Sequence, residues 1–510
     1  MYNIATMDKK IIFVMLGNAL IGFALVFVLP VIYAAGILRS AIVTEIFLAL
    51  GMSAAAAGLL LARLGRRHRR RLPLVESALA IILIYPLLTA FGAIPFWLSG
   101  WLPPLDATLE TISDLTSAGI SLLPQNAPYI LRIWQSALMW FGSLIFLTML
   151  VTVLPEVSGC FGMTLSLHGG QNFSPIFGQM FTMAQRVLKV YAALTVFSAV
   201  LFKAAGLGFS DAALMAMRCI STGGGDFFPA RGNVFAEYAA AFSMLLACGN
   251  FLYYYRLIVT IPPVDNQQEN ILRRGITYAK SFGGSVKKFL ANSEVKAVAL
   301  IIFFGVGIIF LSIYRRGWIE DGGAAFRYAF FHVVSFLSTS GICVAPVEEA
   351  HDFDRFLIFL MAIFGGCMGS VTGGLKIIRL LVLAKITAAE LTKTMHPRMV
   401  ASIRVNNLAV PPKIIGRILG FFFLSALTLF VCSAVLSFMG PRFSTAVAIS
   451  VACLTNVGTL PGICDAVVFL GLPAAGKIFC MAVMVAGRLE IFALLLAAAG
   501  LFSRRNFKEW

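Results

Sequence analysis

Long apolar stretches alternate with short polar breaks along nearly the whole chain, and they fall into two length classes. The long class covers 11–34 and 41–63, followed by four pairs: 73–98 and 133–154, 187–206 and 236–259, 295–313 and 355–387, and 414–438 and 477–501. A hydrocarbon core of about 30 Å needs roughly 20 apolar helical residues, so each of these reads as a spanning helix. Within each of the four pairs lies a segment of about 12 residues, too short to cross. Each of these opens on turn or capping residues: LPPLDA at Asp106, GFSDA at Asp211, GGAAF near Gly323, and GPRFST at Ser444 or Thr445. Asp, Ser and Thr side chains accept from the free N–H groups of a helix start, so a short re-entrant helix is expected at each place.

The short helices run into polar strips of one shape: DLTSAGIS (114–121), CISTGGGD (219–226), FLSTSGIC (336–343) and CLTNVGTL (453–460). In each, a hydroxyl residue stands three positions before a glycine. The glycines, Gly119, Gly224, Gly341 and Gly458, are 105, 117 and 117 residues apart. Ser, Thr and Gly mark turns everywhere; the information lies in the fourfold recurrence between long apolar helices, which sets the fold. The expectation is an all-α polytopic membrane protein. Four units of helix, short helix, strip and helix surround a pseudo-fourfold pore, with two extra N-terminal helices. The boundaries expected are 1–72 for the N-terminal pair and 73–155, 186–260, 295–395 and 411–503 for the units, with a cytoplasmic basic loop at 261–294.

Composition agrees: 59% of residues are hydrophobic, 12% are charged, and the mean hydropathy is +0.90. A formal charge of +17 would suggest nucleic acid in a soluble protein. Here the basic residues gather at span ends: GRRHRRR (65–71), then Arg273, Arg274, Lys280, Lys287 and Lys288, then Lys376 through Arg404 to Lys413. Such clusters belong in cytoplasmic loops, with contact to anionic lipid as a secondary role, and no aromatic interleaving supports a nucleic-acid partner. The run after Lys9 and Lys10 is longer than the 7–15 or so apolar residues of a signal peptide, so it reads as a retained helix with a cytoplasmic N-terminus. Nine cysteines form no C-x-x-C pair and five histidines no H-E-x-x-H. Neither a disulfide framework nor a zinc site is expected.

Irregular backbone is tolerated at membrane depth only where protein buries it or it lines water. Four strips around one axis would present carbonyls able to replace an ion's hydration shell, and glycine takes the dihedrals that turn them inward. The negative C-terminal ends of the short helices would favour a cation there. The candidate ion-binding residues are therefore Thr116, Ser117, Ala118 and Gly119; Ser221, Thr222, Gly223 and Gly224; Ser338, Thr339, Ser340 and Gly341; and Thr455, Asn456, Val457 and Gly458. The first residue of each set is a support or an additional ligand.

A second glycine cluster, GGCMGSVTGGLK (365–376), interrupts an apolar run. As a phosphate loop it fails: Gly369 to Gly374 has the spacing, but Leu375 precedes Lys376 and Ile377 stands where a hydroxyl is needed. It reads instead as a break in a membrane helix.

Together with the four strips, RIWQSALMWFGSLIFLTMLVTVLP (132–155), GGCMGSVTGGLKIIR (365–379), HPRMVASIRVNN (396–407) and GRLEIF (487–492) resemble the Trk/Ktr/HKT superfamily of potassium transporters, the bacterial Trk potassium-uptake subunit above all. The resemblance implies inward potassium transport across the cytoplasmic (inner) membrane with the filter facing outside, K+ as the transported ion, and no cofactor in this chain. It also implies a homodimer and a cytosolic nucleotide-binding regulatory subunit. In that family an intramembrane loop in the third unit obstructs the pore. Gly365, Gly366, Gly369, Gly373 and Gly374 match this loop, and Arg488 matches a basic residue beside it. For Arg488 a structural ion pair with Glu490 or another buried acid is the alternative. For Lys376 a gating role stands beside a lysine snorkelling to the cytosolic edge, which is the expectation.

Two acids depart from the family pattern: Asp226 follows Gly225, and Asp114 stands where a small residue is expected. Both could attract cations, although a paired structural carboxylate is the favoured reading of Asp114. The acidic VEEAHDFD (347–354) reads mainly as a solvated loop. All four filter glycines are present, which favours potassium over a sodium-preferring or sodium/proton-coupled relative. An integral-membrane enzyme would need a reactive cluster; His332 has no evident partner and reads as a packed histidine, and Glu110 with Asp114 do not make an active site.

Overall fold

The protein is described by a computed structural model over residues 9–65, 74–152, 177–251 (Asp226 excepted), 253, 254, 284, 287, 289–344, 350–396, 398, 402–406, 408–460, 464–491, 494 and 495. Helix α1 (Lys9–Ala24) continues through a 3₁₀ turn into α2 (Val28–Tyr33), and α3 (Ala41–Gly65) packs beside them. Small residues let these backbones approach, as is common between membrane helices. A Cβ placed on Gly58 would sit 2.9 Å from the Ile21 nitrogen.

The first unit consists of α4 (Leu74–Gly92), α5 (Ile94–Leu98), the short α6 (Pro104–Leu115) and α7 (Tyr129–Thr152). The second has α8 (Phe177–Ala204), the short α9 (Phe209–Ser221) and α10 (Val234–Cys248). The third has α11 (Ser293–Arg316), the short α12 (Gly322–Leu337), α13 (Asp352–Phe364) and α14 (Ile377–Met395). A small antiparallel hairpin, β1 (Arg404–Val405) and β2 (Leu408–Ala409), leads to the fourth: α15 (Pro412–Phe438), the short α16 (Phe443–Thr455), α17 (Ala466–Leu470) and α18 (Ala474–Arg488).

Seven helices among the described residues are long and apolar enough to cross a membrane. Their outer faces carry bare aromatics, such as Phe303, Phe423, Phe430 and Phe438. So much exposed apolar surface fits lipid rather than water.

Two features differ from the sequence reading. The helices expected at 236–259 and 477–501 in units two and four are broken within those bounds, and residues 255–259 and 496–501 lie outside the described residues. The former ends at Cys248 with Gly249 extended, and the latter ends at Arg488, followed by Glu490 at φ +56°. The third unit's 355–387 is divided at Phe364, as the glycine cluster and the resemblance anticipate. The caps also differ. Asp321, rather than Gly323, caps α12 by accepting from Gly323 N and Ala324 N, whereas Ser444 and Thr445 lie inside the first turn of α16, whose N-cap Arg442 gives no side-chain bond. Asp106 and Asp211 likewise stand in first turns, and both are spent on neighbours.

Those neighbours belong to adjoining units. Tyr129 donates to Asp211 at 2.6 Å between units one and two, and Arg327 pairs with Glu237 at 2.7 Å between two and three. Arg379 pairs with Glu490 at 2.8 Å between three and four, and Lys477 with Asp106 at 2.5 Å between four and one. Polar side chains are expensive in a membrane unless partnered; here each junction of the cycle holds at least one such tie.

Candidate functional site

Each short helix ends in the same way. The N–H of the residue before the strip glycine bonds back five positions: Ala118 to Ser113 O (2.7 Å), Gly223 to Arg218 O (3.1 Å), Ser340 to Ser335 O (2.8 Å) and Val457 to Ala452 O (3.3 Å). The preceding residue is left-handed in all four, with φ of 52°, 53°, 56° and 51° at Ser117, Thr222, Thr339 and Asn456. Such φ values are uncommon outside glycine. The glycines follow at 71°, 59°, 64° and 95°.

These glycines face a second constraint. A Cβ on Gly119 would overlap the Gly223 carbonyl oxygen, one on Gly224 that of Ser340, and one on Gly341 that of Val457, while one on Gly458 would stand 2.9 Å from that of Ala118. The relation runs from each strip to the next and closes on the first. Four strips therefore surround one axis, with the carbonyls of Ala118, Gly223, Ser340 and Val457 each set against the preceding strip's glycine. Positive φ and close backbone approach both demand the missing side chain.

The hydroxyls of Thr116, Ser221, Ser338 and Thr455 donate to carbonyls of their own short helices, at 2.7 Å to Ile112, 3.2 Å to Arg218, 3.0 Å to Ser335 and 2.8 Å to Val451. Each hydroxyl proton is thus spent within its own short helix.

Beneath the strips lies the buried loop between α13 and α14. Gly365, Gly369 and Gly374 have φ of 72°, 84° and 72°. The Gly373 N–H donates to Thr339 Oγ1 of the third strip at 2.9 Å, and a Cβ on Gly373 would overlap the Thr455 carbonyl. Gly366 N–H donates to Thr372 Oγ1 at 3.0 Å, folding the loop on itself. Arg488, fully buried, donates to Val371 O at 2.9 Å and to Ser143 Oγ at 3.1 Å, and its guanidinium lies 4.1 Å from the Phe146 ring centre. Ser143 in turn donates to Ser221 O at 2.8 Å. Arg488 thus joins the loop to the base of the first and second strips.

Its pairing with Glu490 falls away, because Arg379 holds that carboxylate instead. Lys376 does not snorkel: it is buried, at φ +71°, and donates to Thr372 O, to Thr372 Oγ1 at 3.1 Å and to Ser370 Oγ at 3.4 Å. Asp114 is paired through charge, with Arg218 its cationic neighbour. It is fully buried, and neither carboxylate oxygen accepts a hydrogen bond. Glu110 is satisfied, accepting from Leu122 N and Gln135 Nε2, both at 2.6 Å. His332 packs on Tyr328, with its Nδ1 at 2.9 Å from the Tyr328 carbonyl. Asp226 and residues 347–349 lie outside the described residues; in the same acidic stretch, His351 caps α13 and Asp352 pairs with Arg355 at 3.1 Å.

The sequence reading missed the loop's dock. Because α10 stops early, Cys248 O is released from its helix and accepts from Cys367 N at 3.0 Å, while Phe251 N donates to Gly369 O at 3.1 Å. Glu294, at the start of α11, accepts from Met368 N at 2.5 Å. The Gly-Asn pair at 249–250 inside an apolar run is a turn signal that could have revealed this dock.

A bundle with seven helices long and apolar enough to cross a membrane, folding four strips around one axis, describes a multi-pass membrane protein. Residues 317–509 match the TrkH family, described as cation transport protein. Over 98% of its length the chain is 28% identical to the whole Trk system potassium uptake protein TrkH of Halomonas elongata. It is also 28% identical to the Escherichia coli protein of that name, over 86% of this chain and 88% of the relative. The crystal structure of the potassium transporter TrkH from Vibrio parahaemolyticus superposes with a TM-score of 0.82, covering 98% of this chain and all of that one at 24% identity. The resemblance to the bacterial Trk subunit is therefore found in sequence and in fold.

Proposed function

We propose that the protein carries potassium inward across the cytoplasmic membrane through the ring of four strips, which acts as its selectivity filter. The observation that carries this reading is the closed succession of glycine against carbonyl from each strip to the next. Backbone carbonyls can substitute for an ion's water, and the four short helices end at the strips, adding their negative ends. Potassium is the ion named for the similar uptake proteins.

In this reading the loop at 365–376 is the gate, held across the pathway by Arg488, Thr339 and the α10 break, with Lys376 fixing its fold from within. The basic segments lie on the cytoplasmic side with the N-terminus, and the filter opens outward. The chain works as a homodimer on a cytosolic nucleotide-binding regulatory subunit, a part of the proposal that rests on the resemblance.

The test is tracer rubidium uptake into liposomes holding the purified protein, with potassium, sodium and lithium as competitors. Strong potassium competition with no need for a sodium or proton gradient is expected. Uptake that requires either gradient would replace the gated pore with a coupled transporter.

A further inference from the structure

Behind the first two strips stands a charged network with no counterpart, among the described residues, behind the other two. Arg218, in the last turn of α9, is fully buried. Its Nε donates to Ser136 Oγ at 2.8 Å, one terminal nitrogen to Gln135 Oε1, and the other to the carbonyl of Gly224 at 3.2 Å. Gln135 passes the chain on to Glu110 at 2.6 Å and to Ser121 at 2.9 Å. Glu110 then holds Leu122 N at 2.6 Å, just beyond the first strip. Asp114 meets Arg218 and Glu110 through charge alone, and Arg132 adds a second cation to the group.

Among the described residues, Gly224 is the one strip glycine whose carbonyl accepts from a charged side chain. A full positive charge bonded to a filter carbonyl competes with any cation that would use that oxygen. Glu110 and Asp114 stand in the same buried network, with Asp114 close to the Arg218 charge and to Gln135. We propose that Arg218 is a specificity-determining residue that weakens the second strip toward cations, and that Asp114 tunes it from the opposite side. The ring would then bind its ion less tightly than four free strips would, favouring release over retention; conduction needs binding weak enough to leave. This inference rests on the filter reading.

The test compares KM for rubidium uptake in Arg218→Gln, Arg218→Lys and Asp114→Asn proteins. At a few ångströms and an effective dielectric of about 20, one unit charge is worth enough to move binding by at least about threefold. Arg218→Gln should lower KM by about that factor, Asp114→Asn should raise it, and Arg218→Lys should stay near the parent. Opposite shifts from two residues of one network are not what mere packing damage produces. Shifts in the same direction, or lost capacity at unchanged KM, would overturn the proposal. Should Arg218→Gln fail to assemble, Asp114→Asn decides alone: a raised KM supports the proposal, and an unchanged or lowered one defeats it. Gly341→Asp separates the two readings. If the filter assignment fails, that variant keeps its selectivity; if only the Arg218 proposal fails, it loses selectivity while the network variants show no opposed shifts.

Discussion

Arg488 is the residue on which loop and strips depend together, since it bonds Val371 O on one side and Ser143 on the other. Hydrogen bonds to charged groups contribute about 1.5–3 kcal/mol each. Arg488→Gln should therefore raise unstimulated rubidium leak in liposomes on the order of tenfold or more, and an unchanged leak would remove Arg488 from the gate. Gly119, Gly224, Gly341 and Gly458 were legible because four copies of one pattern stand at regular spacing. The partners of Arg488, Lys376 and Asp114 were not. Each depends on which side chains come together from distant elements, as when Arg379 rather than Arg488 takes Glu490.

At the scale of elements, broken helices position the loop proposed as the gate. The division after Phe364 was signalled by the glycines themselves, whereas the end of α10 at Cys248 was hidden within a run that reads as one long helix. That second break has a physical purpose: it frees Cys248 O to accept from the loop at 3.0 Å, so one interrupted helix docks another. Deleting residues 368–372 removes the segment bonded to Arg488 and Glu294, and leak measured in the same vesicles should rise with no loss of membrane insertion. An unchanged leak would mean that the loop does not obstruct the pathway. Replacing Gly249 with Ala addresses the dock separately, since a side chain there would overlap the Tyr254 ring. The expected outcome is a less firmly held loop and a smaller but measurable rise in leak.

Across the whole molecule, the four units close into a cycle through at least one polar tie at each junction, and the tie from Lys477 to Asp106 joins the last unit to the first. Removing one partner of a buried ion pair typically costs about 3–5 kcal/mol, while replacing both is far milder. Lys477→Met should accordingly lower the thermal midpoint of the detergent-solubilised protein by several degrees, with Asp106→Asn/Lys477→Met recovering much of the loss; equal midpoints would show that the cycle does not need this tie. The units and their order could be read from apolar spacing, but the ties could not, because Asp106 and Asp211 look like caps in sequence and act as links between units. The central claim is that the four-strip ring selects the ion. Its most direct test is potassium-against-sodium competition for rubidium uptake in the parent protein and in Gly341→Asp, both reconstituted at equal density. Potassium should compete well ahead of sodium in the parent, and that preference should vanish in Gly341→Asp, where a side chain would collide with the Val457 carbonyl. A variant that inserts and keeps the parent's preference would contradict the account.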